Sequence, residues 1–232
     1  MLLLMALLSP TVSVAHTRGS AADQVASDTE GPYTYLVAFV GALGDAKSAA
    51  DSLEAAKGAS DVGLINSVRR AKSLYQSAAS RIAPYERSAD KSIRTSAEAA
   101  AVAFEMFVTV EDQFLKLLTQ SVTDLAEGTY KPGPAAEITA DLAAKGKEAE
   151  DMLLAAAIAA SFAPLILDPA TSSRSKMALT SQQRDDLLAK LKATFGSSIV
   201  NGLQSGQNKL TAAAAAVYQV VGDPKRLSRS QM

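Results

Sequence analysis

Few side chains in this chain could do chemistry, and the first question is what they could do together. Among 232 residues there is one histidine, His16, and no cysteine or tryptophan. The missing thiol removes disulfides, thiolate nucleophiles, iron–sulfur clusters, thiolate zinc sites and lipid-modified cysteine. With its only histidine in the N-terminal lead-in, the chain has no base for a Ser-His-Asp set, and it lacks a Gly-x-Ser-x-Gly elbow. No phosphate-cradling glycine loop ending in Lys-Ser or Lys-Thr is present.

Carboxylates and basic side chains remain. Glu111 falls in a row of otherwise apolar positions, flanked by Phe107, Val110, Phe114 and Leu118. A carboxyl buried there has its charged form disfavoured by desolvation, which raises its pKa unless a cation or donor compensates. Two placements stay open. Either Glu111 faces the core, or drift between the true helical period and the heptad turns it to the bundle edge. Lys145 lies in a core row of a later helix and is a candidate partner. Antiparallel reflection through the intervening loop places Glu111 nearer Glu150, so a Glu111–Lys145 pair needs about a turn and a half of slip.

Arg69, Arg70 and Lys72 form a basic patch that could take an anion or lipid headgroup; no aromatics interleave with it, and the alternative is a solvated face. Glu137, Asp141, Glu148, Glu150 and Asp151 carry oxygen ligands of the kind calcium prefers. They lack a glycine-turn loop, and Glu137 and Asp141 sit where a helix dipole favours acids. The Glu-x-x-His pairs of di-iron bundles are excluded, since no histidine follows His16. We expect no catalytic set, metal or cofactor.

Helices must position these residues. From Ile93 to Leu125 apolar residues return every three or four positions without glycine or proline. Ile93, Ala100, Phe107 and Phe114 form one row; Ala97, Phe104, Glu111, Leu118 and Leu125 form the adjacent one. Ala103, Met106, Val110 and Leu117 widen the stripe beyond a coiled-coil seam, which implies a bundle. Before this central helix, one helix should start near Pro32 and stop at Gly58, with Ser60 or Asp61 capping the next. That second helix has the clearest register: Leu64, Val68, Ala71, Tyr75, Ala78, Ile82 and Tyr85. Pro84 predicts a break between Ala83 and Asp90, with a kinked continuous helix as the alternative.

After Gly128, Lys131-Pro132-Gly133-Pro134 reads as a loop, followed by a helix from Ala135 to Ala163 with Ile138, Leu142, Lys145, Ala149, Met152, Ala156 and Ala159 in phase. Thr180 and Gln183 predict a capping box opening a last helical region that bends or breaks at Gly196 and carries Leu188, Leu191, Phe195, Ile199 and Leu203. The expected fold is all-α: an antiparallel up-and-down bundle of about five helices with no significant β-sheet.

Residues 1–15, with the apolar run Leu2 to Leu8 and the small residues Ser13 and Ala15, have the pattern of a signal peptide without its basic start. The run is too short to span a bilayer. Residues 16–31 read as a flexible lead-in, 32–222 as one helical-bundle domain, and 223–232 as a polar tail. Cleavage after Ala15 would expose His16, whose amine and imidazole could chelate copper, but a copper oxygenase needs a second histidine. A periplasmic or secreted location is expected.

Net charge is −1, which gives no reason to expect nucleic acid. Charge does alternate along the chain: seven basic and three acidic residues in 61–94, four and twelve in 95–168, nine and three in 169–232. Neighbouring flanks of opposite sign attract one another. The reading is an exported, non-catalytic interaction or small-ligand-binding module whose partner is an unidentified protein or small molecule. Alternatives are a membrane-surface bundle using its basic faces, or a carboxylate enzyme centred on Glu111.

Overall fold

Proline at a first helical turn loses nothing, because the N–H it lacks would have no intrahelical acceptor there. Pro32 accordingly opens α1 (Pro32–Ala55) in the computed structural model, which describes residues 31–160, 165–166 and 179–207. Gly58, at φ 81°, turns the chain, and the Ser60 hydroxyl accepts from the Gly63 N–H to cap α2 (Asp61–Ile82). So short a link makes α1 and α2 an antiparallel hairpin.

The hairpin is locked from both sides. Asp45 on α1 accepts from Arg81 Nε and from Ser77 Oγ on α2, each at 2.8 Å. Gly41 lies beside this contact, where an added Cβ would meet the Arg81 side chain at 3.5 Å, an ordinary van der Waals distance.

The expected break after α2 is present. A 3-10 turn, Ala83–Arg87, follows directly, and Asp90 caps α3 (Lys91–Glu127) by accepting from the N–H groups of Ser92 and Ile93. Arg94 Nη1 donates to the Ser88 carbonyl at 2.7 Å, tying the new helix to the break. Gly128, at φ 72°, ends α3 in the left-handed geometry that favours glycine.

At the next turn the structure corrects the sequence reading. Of Lys131–Pro134 only Lys131, the extended N-cap, stays outside a helix: α4 runs Pro132–Ala159 and includes both prolines and Gly133. Pro132 and Pro134 each lack an N–H, and both fall within the first turn, where none is needed. The signal read as a breaker is a helix start.

Successive helices of this unit pack on one another in the order α1, α2, α3, α4. The core is made of Tyr35, Leu36, Phe39 and Leu43 on α1; Val68, Ala71, Tyr75, Ala78 and Ile82 on α2; and Ile93, Ala97, Ala100 and Phe104 on α3. Each large apolar side chain so buried contributes roughly 1.5–3 kcal/mol. From α4 come mainly small residues, Ala149, Ala156 and Ala157, with Leu142 and Leu153.

Small residues let α3 and α4 approach closely, and a buried relay joins three helices at that point. Tyr35 Oη on α1 lies 2.5 Å from Ser96 Oγ on α3, and Ser96 donates to the Ala156 carbonyl of α4 at 2.7 Å.

Some expected core positions are exposed. Leu125 is 60 % exposed and Ile138 45 %, because the last turn of α3 and the first turns of α4 bury few side chains.

The second compact unit holds 165–166 and 179–207 among the described residues. Its helix α5 (Ser181–Phe195) opens with the expected capping box: the Thr180 hydroxyl accepts from the Gln183 N–H, and the Gln183 side chain accepts from the Thr180 N–H. Gly196, at φ 90°, interrupts the helix as expected, and 197–207 is helical again. Leu188, Leu191 and Val200 are buried, while Ile199, expected inside, is 42 % exposed.

The described residues are all-α, a bundle without strand. No described helix is long and apolar enough to cross a membrane. The expected signal peptide, residues 16–30 of the lead-in and the polar tail lie outside the described residues, and the domain expected over 32–222 extends beyond them.

Candidate functional site

Glu111 faces inward. It is one of three buried polar residues of the described chain, 6 % exposed, and the other two, Ser88 and Ser96, make hydrogen bonds. Its position in the row of Ala97 and Phe104 keeps phase with the core, so drift of the helical period does not carry it to the bundle edge. No hydrogen bond or ion pair reaches its carboxyl among the described residues. Burial alone pushes its pKa up to about 7.

Two contacts set the level of Glu111 against its neighbours. Lys72 Nζ of α2 reaches Asp112 Oδ1 at 2.6 Å, and the Tyr75 ring of α2 stacks on Phe107 with centroids 4.7 Å apart and planes 13° from parallel. Tyr75 is buried, and its phenol is held well above the usual range, first by burial and then by the negative charges of Glu111 and Glu150. Helices α2, α3 and α4 therefore each bring a titratable group to one junction: Tyr75, Glu111 and Glu150.

The Glu111–Lys145 pair is not formed. Lys145 Nζ closes on Asp141 one turn earlier on its own helix, at 2.8 Å. The simple reflection held instead, since it is Glu150 that comes near the junction. Lys72 is also engaged elsewhere, since it and Lys116 both bind Asp112 and hold that carboxyl below its ordinary range.

The acidic cluster does not assemble. Asp141 is paired with Lys145 and Asp151 with Lys147, each by a helical i,i+4 contact. Among the described residues no three acidic or histidine side chains converge as metal ligands. His16 lies outside the described residues.

The basic patch divides. Arg69 and Arg70 are exposed, and neither makes an ion pair among the described residues. Arg70 lines an open groove of about 510 Å³ between the end of α1 and the start of α2, together with Ser48, Asp51, Ser52 and Ser67. Asp51 is paired with Lys47 at 2.5 Å. Sequence reading did not find this groove, because small polar residues at two helix ends leave no periodic signal. Arg70 was its one visible element. Compared with known proteins, the chain matches no family model, no curated protein and no solved structure.

Proposed function

We propose that this chain is an exported, non-catalytic binding module that takes a small polar ligand bearing an anionic group in the groove between α1 and α2. The observation that carries this reading is Arg70. Its guanidinium stands on the wall of the groove without an ion pair among the described residues, beside three seryl hydroxyls that can donate or accept. A guanidinium offers fixed, planar donors suited to a carboxylate or phosphate. The apolar run of residues 2–8 followed by small residues supports export.

A carboxylate-based reaction at Glu111 has less behind it. A general acid or base works with a partner in hydrogen-bond reach, and the support for Glu111 is its burial alone.

Native mass spectrometry of the protein purified from its host tests the proposal. A small retained ligand is expected on the wild type and absent from Arg70→Gln, with a mass corresponding to loss of residues 1–15. Ligand-free protein in both forms would refute binding, and an intact N-terminus would refute export.

A further inference from the structure

Beyond Glu111 the core of the first unit is open at one end. Along residues 112–127 of α3 no side chain is buried, although Phe114, Leu115, Leu117, Leu118, Val122 and Leu125 all lie there. Val122 and Leu125 are 42 % and 60 % exposed. Yet these positions belong to the core face of the helix. Leu118 and Leu125 continue the row of Ala97, Phe104 and Glu111, and Val122 stands one turn from each of them. What the row lacks is cover. On one side α2 buries no residue before Val68, and on the other α4 buries none before Leu142. Ile138, one turn ahead of Leu142 in the same row of α4, is therefore 45 % exposed. The short link from Gly128 to Lys131 sets the end of α3 and the start of α4 at the same tip of their hairpin. An uncovered apolar strip that continues a core face is the kind of surface that another molecule covers.

The charges of this hairpin set the chemistry of the partner. Asp124, Glu127 and Glu137 at the tip, and Glu148 farther along α4, have no ion pair among the described residues. The lysines are spent on other acids: Lys116 on Asp112, Lys145 on Asp141 and Lys147 on Asp151. That leaves Lys131 as the one cation of the tip among the described residues without an ion pair. A second copy of the chain would bring the same acids to the contact, and an anionic lipid surface or a nucleic acid would be repelled in the same way. A cationic partner gains where each of these loses.

We infer that the open end of the α3–α4 hairpin docks a basic amphipathic helix of a partner protein, separately from the groove between α1 and α2. Apolar side chains at every third or fourth position of that helix cover Leu118, Val122, Leu125 and Ile138, and its lysines or arginines face the unpaired carboxylates. The apolar anchors supply most of the binding energy, while the charges speed encounter and fix the register.

Titration of the full chain with a labelled synthetic helix of leucine and lysine, leucine at every third or fourth position, tests the surface by fluorescence anisotropy. The peptide should bind, and added salt should weaken it. The double variant Leu125→Ser/Ile138→Ser, which changes only exposed side chains, should weaken it by about tenfold or more. Glu127→Gln/Glu137→Gln should weaken it by a smaller factor, and a peptide with glutamate in place of lysine should bind the wild type by about tenfold less or worse. Binding that Leu125→Ser/Ile138→Ser leaves unchanged, equal binding of the two peptides, or no binding at millimolar peptide would overturn the inference. So would a wild-type dimer in sedimentation, or co-sedimentation with phosphatidylcholine vesicles, that the Leu125→Ser/Ile138→Ser variant abolishes, since the strip would then belong to a second copy or to a lipid surface.

Discussion

Ser96 is the small residue on which three helices depend, and its replacement gives a sharp test of the packing. It is fully buried, accepts from the Tyr35 hydroxyl and donates to the Ala156 carbonyl. That carbonyl also accepts from the Ala160 N–H at 3.0 Å, so it keeps a partner without Ser96. The Tyr35 hydroxyl does not. Ser96→Ala strands a buried phenol, a loss of about 2 kcal/mol, whereas Tyr35→Phe leaves Ser96 bonded to Ala156 and should cost about 1 kcal/mol. In the double variant no polar group is stranded, and its total should be about 1 kcal/mol rather than the sum of about 3 kcal/mol. Equilibrium urea unfolding followed by circular dichroism measures all four proteins. A double variant equal to the sum of the singles would refute the relay, and a Tyr35→Phe loss larger than that of Ser96→Ala would reverse its logic.

The remaining expectations concern charge, turns and caps. Glu111→Gln should stabilise the fold by at most roughly 3 kcal/mol at pH 8 and by little at pH 4, since the raised carboxyl pKa stabilises the folded form only while the proton is retained; an equal effect at both pH values in thermal melts would contradict this. Gly128→Ala should cost about 1–2 kcal/mol by chemical denaturation, because φ is 72° there while nothing lies within 4 Å of an added Cβ. Thr180→Ala removes half of the capping box and should lower the stability of the second unit by about 1 kcal/mol, read as faster exchange in the first turn of α5 and unchanged exchange in α2.

How far the fold could be read from the sequence depended on side-chain size. In α2, Val68, Ala71, Tyr75, Ala78 and Ile82 are all buried as the alternating steps of four and three required, because bulky residues there leave one face to bury. In α3 the same reasoning holds from Ile93 to Glu111 and fails at Leu125, where burial is decided by what neighbouring helices supply rather than by the residue's own row. Pro132 and Pro134 were misread because proline marks both a loop and a first turn, and only the position of the following hydrogen bonds separates the two.

The candidate site was half legible. An acid in an apolar row identified Glu111, but its row does not reveal that Lys145 closes on Asp141 of its own helix. The Ser96 relay left no signal at all. A serine among alanines is unremarked until tertiary packing brings Tyr35 to it, and the groove at Arg70 is likewise made by a turn rather than by a periodicity.

The protonation of Glu111 in the intact protein is the most direct observable of its burial without a partner. Titration of the glutamate side-chain carboxyl carbons by NMR, with Glu111→Gln to assign the resonance, should find one midpoint near 7 belonging to Glu111. A Glu111 midpoint near 4.5, in the ordinary glutamate range, would contradict a buried, uncompensated carboxyl at the junction of α2, α3 and α4.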